Sequence, residues 1–178
     1  MSLKISFELD DADLEHFRLI MLHARDAASG RAPEAIVATA NELLQELGAR
    51  RRPGFITDRL QKLQMLIEMI SDIDWRLPHE EVKRVLNALA YFADPDDLIP
   101  DEIPGLGFLD DAIMIELVVR ELHHEIAAYE SFCAFRTGAG ADSSTALADK
   151  RDELVAQMRS RRAEDAAADQ QDQVRLLD

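Results

Sequence analysis

Apolar residues recur at helical spacing along most of this chain. Leu14, Phe17, Met21 and Ala24 form a first stripe, opened by Asp10, Asp11 and Asp13 and ended at Gly30, because acids favour the positive end of a helix dipole. Pro33 suits the first position of a second helix, which buries Ile36, Val37, Ala40, Leu43, Leu44 and Leu47 and takes Gly48 as its C-terminal cap. A third helix runs from about Phe55 to Asp72 on Ile56, Leu60, Leu63, Leu66, Ile67 and Ile70. Trp75 falls in the following turn and is expected to plug the edge of a bundle. Pro78 starts a fourth helix, with Val82, Val85, Leu86, Leu89 and Phe92 inward.

The fifth pattern is uninterrupted from about Asp110 to Phe135 and predicts one long helix that stops at Thr137 and Gly138. At 100° per residue, Ile115, Val118, Leu122, Ile126, Tyr129 and Cys133 share a face, while Glu116, His123 and Glu130 lie opposite. Ile113, Met114 and Leu117 widen the apolar surface in its first turns, so the helix starts at the centre of a bundle and ends on its surface. Residues 138–144 read as a flexible link. Ser143 or Ser144 caps a last helix, which runs to about Arg162 on Leu147, Leu154, Val155 and Met158. Residues 163–178 are polar and weakly patterned and are expected to be frayed or disordered. At the other end, Leu3, Ile5, Phe7 and Leu9 alternate with polar residues, as in a strand with one buried face. No second strand pairs with it, so it forms an extended arm, or meets its own copy in a homodimer. The fold class is therefore all-α. The expected architecture is a compact bundle of five to six helices, with a helical domain over 1–137, a link and C-terminal helix over 138–162, and a tail.

Charge and composition narrow the partners. The 178 residues carry a formal net charge of −15, which repels nucleic acid and anionic lipid and makes a basic protein or a cation the natural complement. Arg50 to Arg52 is therefore read as the cationic end of a helix rather than as a nucleic-acid contact. Residues 1–10 hold one Lys and no apolar run, so no secretory leader is expected. The apolar stretch 103–119 is interrupted by Asp110, Asp111 and Glu116, so neither a transmembrane segment nor peripheral membrane contact is expected. The single cysteine, Cys133, has no disulfide partner and fits a cytoplasmic location.

The distinctive segment joins the fourth and fifth helices. Tyr91-Phe92 is followed by Asp94-Pro95-Asp96-Asp97-Leu98-Ile99-Pro100-Asp101, then Ile103-Pro104, then Gly107-Phe108-Leu109-Asp110-Asp111. This resembles the signature of the YkvA-like family, bacterial proteins of unknown function. The pattern there is an aromatic pair, Asp or Ser with Pro-x-Asp-Leu-Ile-Pro-Asp, Ile-Pro, Gly-x-Leu-Asp-Asp and an apolar helix. The resemblance covers about Val82 to Arg120. It implies a helical hairpin around an acidic Pro/Gly loop and brings no established reaction. Some members of that family are associated with membranes.

Two readings of the loop stand side by side. In the first, its acids cap helices: Asp94 precedes a first-turn proline, Asp101 repeats the device, and Asp110 and Asp111 open the fifth helix. In the second, Asp94, Asp97, Asp101, Asp110 and Asp111 supply oxygen ligands to Mg²⁺ or Ca²⁺, although the EF-hand spacing is absent. Glu121-Leu122-His123-His124 places an E-x-x-H on a helix, but a di-iron bundle needs that motif twice. His124 also lies about 21 Å of helix rise from Asp110, so one ion cannot hold both. His16 and His23 are assigned to the surface of the first helix. No G-x-S-x-G, phosphate loop or H-E-x-x-H is present. A non-enzymatic interaction or structural module, with no cofactor, is the first expectation, and a metal-dependent enzyme or sensor built on the acidic loop is the alternative.

Overall fold

Asp10 decides where the first helix starts. Its Oδ1 accepts the N–H groups of Ala12 and Asp13, both at 2.9 Å, and Asp13 Oδ2 accepts the Asp10 N–H at 3.1 Å. This reciprocal cap satisfies donors that a helix terminus leaves open. The structure is a computed structural model that describes residues 8–28, 30–49, 54–93, 109–138 and 144–175. Seven α-helices occur among them: α1 (Asp11–Ala28), α2 (Pro33–Ala49), α3 (Gly54–Ser71), α4 (His79–Leu89), α5 (Leu109–Glu121), α6 (His123–Thr137) and α7 (Ser144–Arg175). A 3-10 turn, Ala90–Ala93, follows α4. The fold is all-α, as the periodicity predicts. The expected strand over residues 3–9 and the arginines at 50–52 lie largely or wholly outside the described residues.

Helix α3 runs against α2, α5 and α6, α1 closes over the 3-10 turn, and α7 lies along α6. The core holds the residues the stripes named: Met21, Ile36, Leu63, Leu66, Val85, Leu89, Ile115, Val118, Leu122 and Met158 are all buried. Trp75 is fully buried, with ring centroids 5.7 Å from Tyr129 and 5.0 Å from Phe132. It is a central packing residue rather than an edge plug. The turn that delivers it is held by Asp72, whose Oδ1 accepts the N–H groups of Asp74 and Trp75 at 2.9 and 3.1 Å.

Three boundaries differ from expectation. Helix α2 passes through Gly48 to Ala49, so Gly48 lies within the last turn rather than beyond it. The long fifth helix is two helices that meet at Leu122, where φ is −106° and ψ is 19°. Side chains explain that break. Arg84 Nη2 donates to the Glu121 carbonyl at 3.1 Å, and His123 Nδ1 lies 2.7 Å from the Arg120 carbonyl. With other donors bonding these carbonyls, the backbone ladder is interrupted beside a fully buried Leu122. Finally, α7 continues past Arg162 to Arg175. No Gly or Pro interrupts residues 144–175, and Ala163, Ala166, Ala167 and Ala168 favour helix without needing burial.

Candidate functional site: a polar seam between α4, α6 and α7

Glu81 and Glu125 are buried in the apolar stripes of α4 and α6. Each is tied to arginines. Arg159 Nε donates to Glu81 Oε1 at 2.8 Å, and Arg162 grips the same carboxylate through Nη1 at 2.6 Å and Nη2 at 3.1 Å. Arg162 Nη1 also reaches Glu125 Oε1 at 2.6 Å, where Arg84 Nε arrives at 2.9 Å. Arg162 thus bridges both acids, and three helices meet at one guanidinium. Glu125 Oε2 is buried with no hydrogen-bond partner. Burial raises the pKa of Glu81, but the hydrogen bonds and charges of Arg162 and Arg159 outweigh it and hold the carboxyl below its ordinary value. Glu81 is therefore a fixed anion, unsuited to donating a proton near neutral pH.

One turn further along α7, Asp165 meets α6. Its Oδ2 lies 2.8 Å from His124 Nε2 and 3.6 Å from His123 Nε2. The two imidazole centroids are 3.8 Å apart. His123 and Asp165 are exposed, and His124 is mostly covered. One ligand atom from each of the three lies within 4.8 Å of the others, which groups them as a candidate metal-holding set among the described residues. The E-x-x-H motif does not act as a unit, since Glu121 Oε2 instead accepts from Arg25 Nη2 at 2.6 Å. Glu116 pairs with Arg120, one turn on, at 3.0 Å. His16 and His23 are exposed on α1, as assigned.

The acidic-loop candidates are distributed differently. Asp94, Asp97 and Asp101 lie outside the described residues, as do Pro95, Leu98, Ile99, Pro100, Ile103, Pro104 and Gly107. Asp110 and Asp111 stand in the first turn of α5, and Leu109 opens it, half-buried. Their side chains, like that of Phe92, are outside the description, whereas Tyr91 is buried. Sequence reading missed Glu81, Glu125, Arg84, Arg159, Arg162 and Asp165. Register was the available signal. Glu125 falls three residues after Leu122 and four before Tyr129, and Glu81 four before Val85, so both occupy core positions.

The matched segment sits at one edge of this seam. The model of a family described as protein of unknown function (DUF1232) matches residues 84–117, from Arg84 of α4 to Leu117 of α5. An uncharacterized membrane protein, YkvA, of Bacillus subtilis (strain 168) is 35% identical over 79 residues, covering 41% of this chain and 73% of that protein. This chain belongs to the YkvA-like family. No solved structure matches it. Within the family segment fall all five acidic candidates and Arg84. Glu81, Glu125, both histidines and the α7 residues fall outside it. Among the described residues, no helix is long and apolar enough to cross a membrane.

Proposed function

We propose that this member of the YkvA-like family is a non-enzymatic helical module that receives a basic amphipathic helix from another protein along α1 and α5. The carrying observation is Leu19 and Leu22, one turn apart on α1 and exposed to 47% and 50%. Leu22 borders a groove of about 480 Å³ together with Met21, Leu117 and a rim of Glu15, Arg18, Arg25, Arg120 and Glu121. The rim is already organised by its own ion pairs, Arg18–Glu15 at 3.4 Å and Arg25–Glu121 at 2.6 Å. An apolar floor inside a fixed polar rim is the anatomy of a protein interface. At long range the charge of −15 favours a basic helix, since two copies repel each other; on the rim itself Glu15 and Glu121, not Arg18, Arg25 and Arg120, are the groups that would receive it. The same reading keeps the chain in the cytoplasm, supported by its free thiol at Cys133.

Fluorescence anisotropy with a labelled Lys/Leu amphipathic peptide tests this. Saturable binding that weakens with salt and is lost in Leu19→Glu/Leu22→Glu is the expected result. Equal binding by that variant, or a dimer of the free chain by light scattering, overturns it.

A further inference from the structure

We infer that His123, His124 and Asp165 form a zinc-type metal site that fastens the C-terminal half of α7 to the start of α6. The inference begins with the proton on His123. Its Nδ1 lies 2.7 Å from the Arg120 carbonyl oxygen, which can only accept, so Nδ1 carries the hydrogen. In the neutral ring the lone pair is then on Nε2. That atom faces Asp165 Oδ2 at 3.6 Å, and a second imidazole nitrogen, His124 Nε2, stands 2.8 Å from the same oxygen. The 2.8 Å contact is a hydrogen bond that His124 Nε2 donates to the carboxylate; once that proton is released, electron pairs from two rings and a carboxylate converge on one point, an arrangement that a cation completes. A ring whose far nitrogen donates to a backbone carbonyl is how protein metal sites orient a histidine ligand.

The spacing fits. Bonds of about 2.0–2.1 Å at tetrahedral angles separate two ligand atoms by about 3.3 Å. The two separations measured to Asp165, 2.8 and 3.6 Å, bracket that value. Ligation would replace the His124–Asp165 hydrogen bond and leave a fourth position open to water on the exposed side of His123. Two imidazoles and one carboxylate favour Zn²⁺, Co²⁺ or Ni²⁺ over Mg²⁺ or Ca²⁺, which take oxygen ligands.

Local structure brings consecutive histidines together. On a regular helix neighbours point about 100° apart. Here the helix breaks at Leu122, and the two rings tilt 40° to one another with centroids 3.8 Å apart. The third ligand comes from α7, where the apolar anchors Leu154, Val155 and Met158 have already ended and residues 163–168 are exposed. The site is independent of the α1 groove, and either can fail without the other.

Calorimetric titration of the EDTA-stripped full chain with Zn²⁺ tests the site, with Co²⁺ as a spectroscopic probe. One ion per chain is expected, with visible Co²⁺ bands and a melting temperature raised by about 5–10 °C at 100 times the dissociation constant. His123→Gln, His124→Gln and Asp165→Asn should each weaken binding at least tenfold, while His79→Gln and Asp110→Asn leave it unchanged. Asp165 is exposed, so Asp165→Asn keeps the fold, and far-ultraviolet circular dichroism verifies that. Absence of binding overturns the site. So does binding that survives Asp165→Asn, or binding that Asp110→Asn removes.

Discussion

Arg162→Met removes the guanidinium that bridges two buried carboxylates. The arginine makes hydrogen bonds of 2.6 and 3.1 Å to Glu81 and 2.6 Å to Glu125. Breaking a buried ion pair from one side costs about 3–5 kcal/mol, because the remaining charge is left without compensation. Here each acid keeps one guanidinium, Arg159 on Glu81 and Arg84 on Glu125, and the Arg162 side chain is itself 29% exposed. The lower end applies, about 3 kcal/mol, or about 6–12 °C in Tm for a chain of this size. Glu125→Met is the contrasting variant. It removes a buried carboxylate whose Oε2 has no partner, while Arg162 keeps Glu81 and Arg84 keeps the Glu121 carbonyl. The two arginines left behind are 35% and 29% exposed, so solvent compensates their charge and the loss should stay within about 1 kcal/mol. Urea unfolding at pH 7, followed by circular dichroism, gives both numbers. If Glu125→Met costs more than Arg162→Met, or Arg162→Met costs less than about 1 kcal/mol, the seam is not the brace described above.

Asp72 sets a pH dependence. Burial raises its pKa, but the Trp75 N–H, the Tyr129 hydroxyl, Arg136 and the Asp74 N–H together hold it below the ordinary 3.8. A lowered folded pKa means that the anion stabilises the fold. The stability difference between wild type and Asp72→Asn should be constant above about pH 5 and shrink as pH falls through the folded value. A difference that grows on acidification refutes it. Trp75→Ala should cost about 3–5 kcal/mol by urea unfolding, as expected for emptying a fully buried aromatic site; a cost under about 1 kcal/mol would place Trp75 at the edge after all. Millimolar Mg²⁺ or Ca²⁺ distinguishes the two readings of the acidic loop: a rise in Tm that Asp101→Asn and Asp110→Asn both remove makes it a cation site, and no rise leaves its acids as helix caps.

The helices were legible because their stripes are clean and their ends chemically marked. Asp10 at one terminus and Pro33 at another act locally, so spacing alone finds them. The break at Leu122 was not legible. It depends on Arg84, which is 37 residues from the carbonyl that it meets, and no helix-breaking residue marks the spot. Trp75 was placed in the correct turn but at the wrong depth, since Tyr129 and Phe132 reach it from a distant helix. The seam was hidden for a related reason. Periodicity treats a charged residue as surface, whereas Glu81 and Glu125 stand at core positions and are tolerated only because arginines of α4 and α7 arrive beside them. Pairing of that kind is a property of the packed helices.

Helix α7 brings these points to a test. A chain ending after Arg162 and one ending after Met158 differ by four residues, all exposed or half-buried and none an apolar anchor. By hydrophobic pattern alone they are equivalent, because Leu154, Val155 and Met158 remain in both. By the seam they are not. Ending after Arg162 removes the Asp165 contact to His124 and His123 and the Ser160–Glu164 hydrogen bond, all on the exposed side, and should change stability by less than about 1 kcal/mol. Ending after Met158 also removes Arg159 and Arg162, which strips Glu81, a residue inside the apolar stripe of α4, of both guanidinia. An uncompensated buried carboxylate costs about 3–5 kcal/mol, comparable to the whole stability of many domains. The shorter chain should therefore melt far below the longer one at pH 7 and recover part of the gap when Glu81→Met is added. Equal melting of the two truncations would show that α7 is seated by its apolar residues alone.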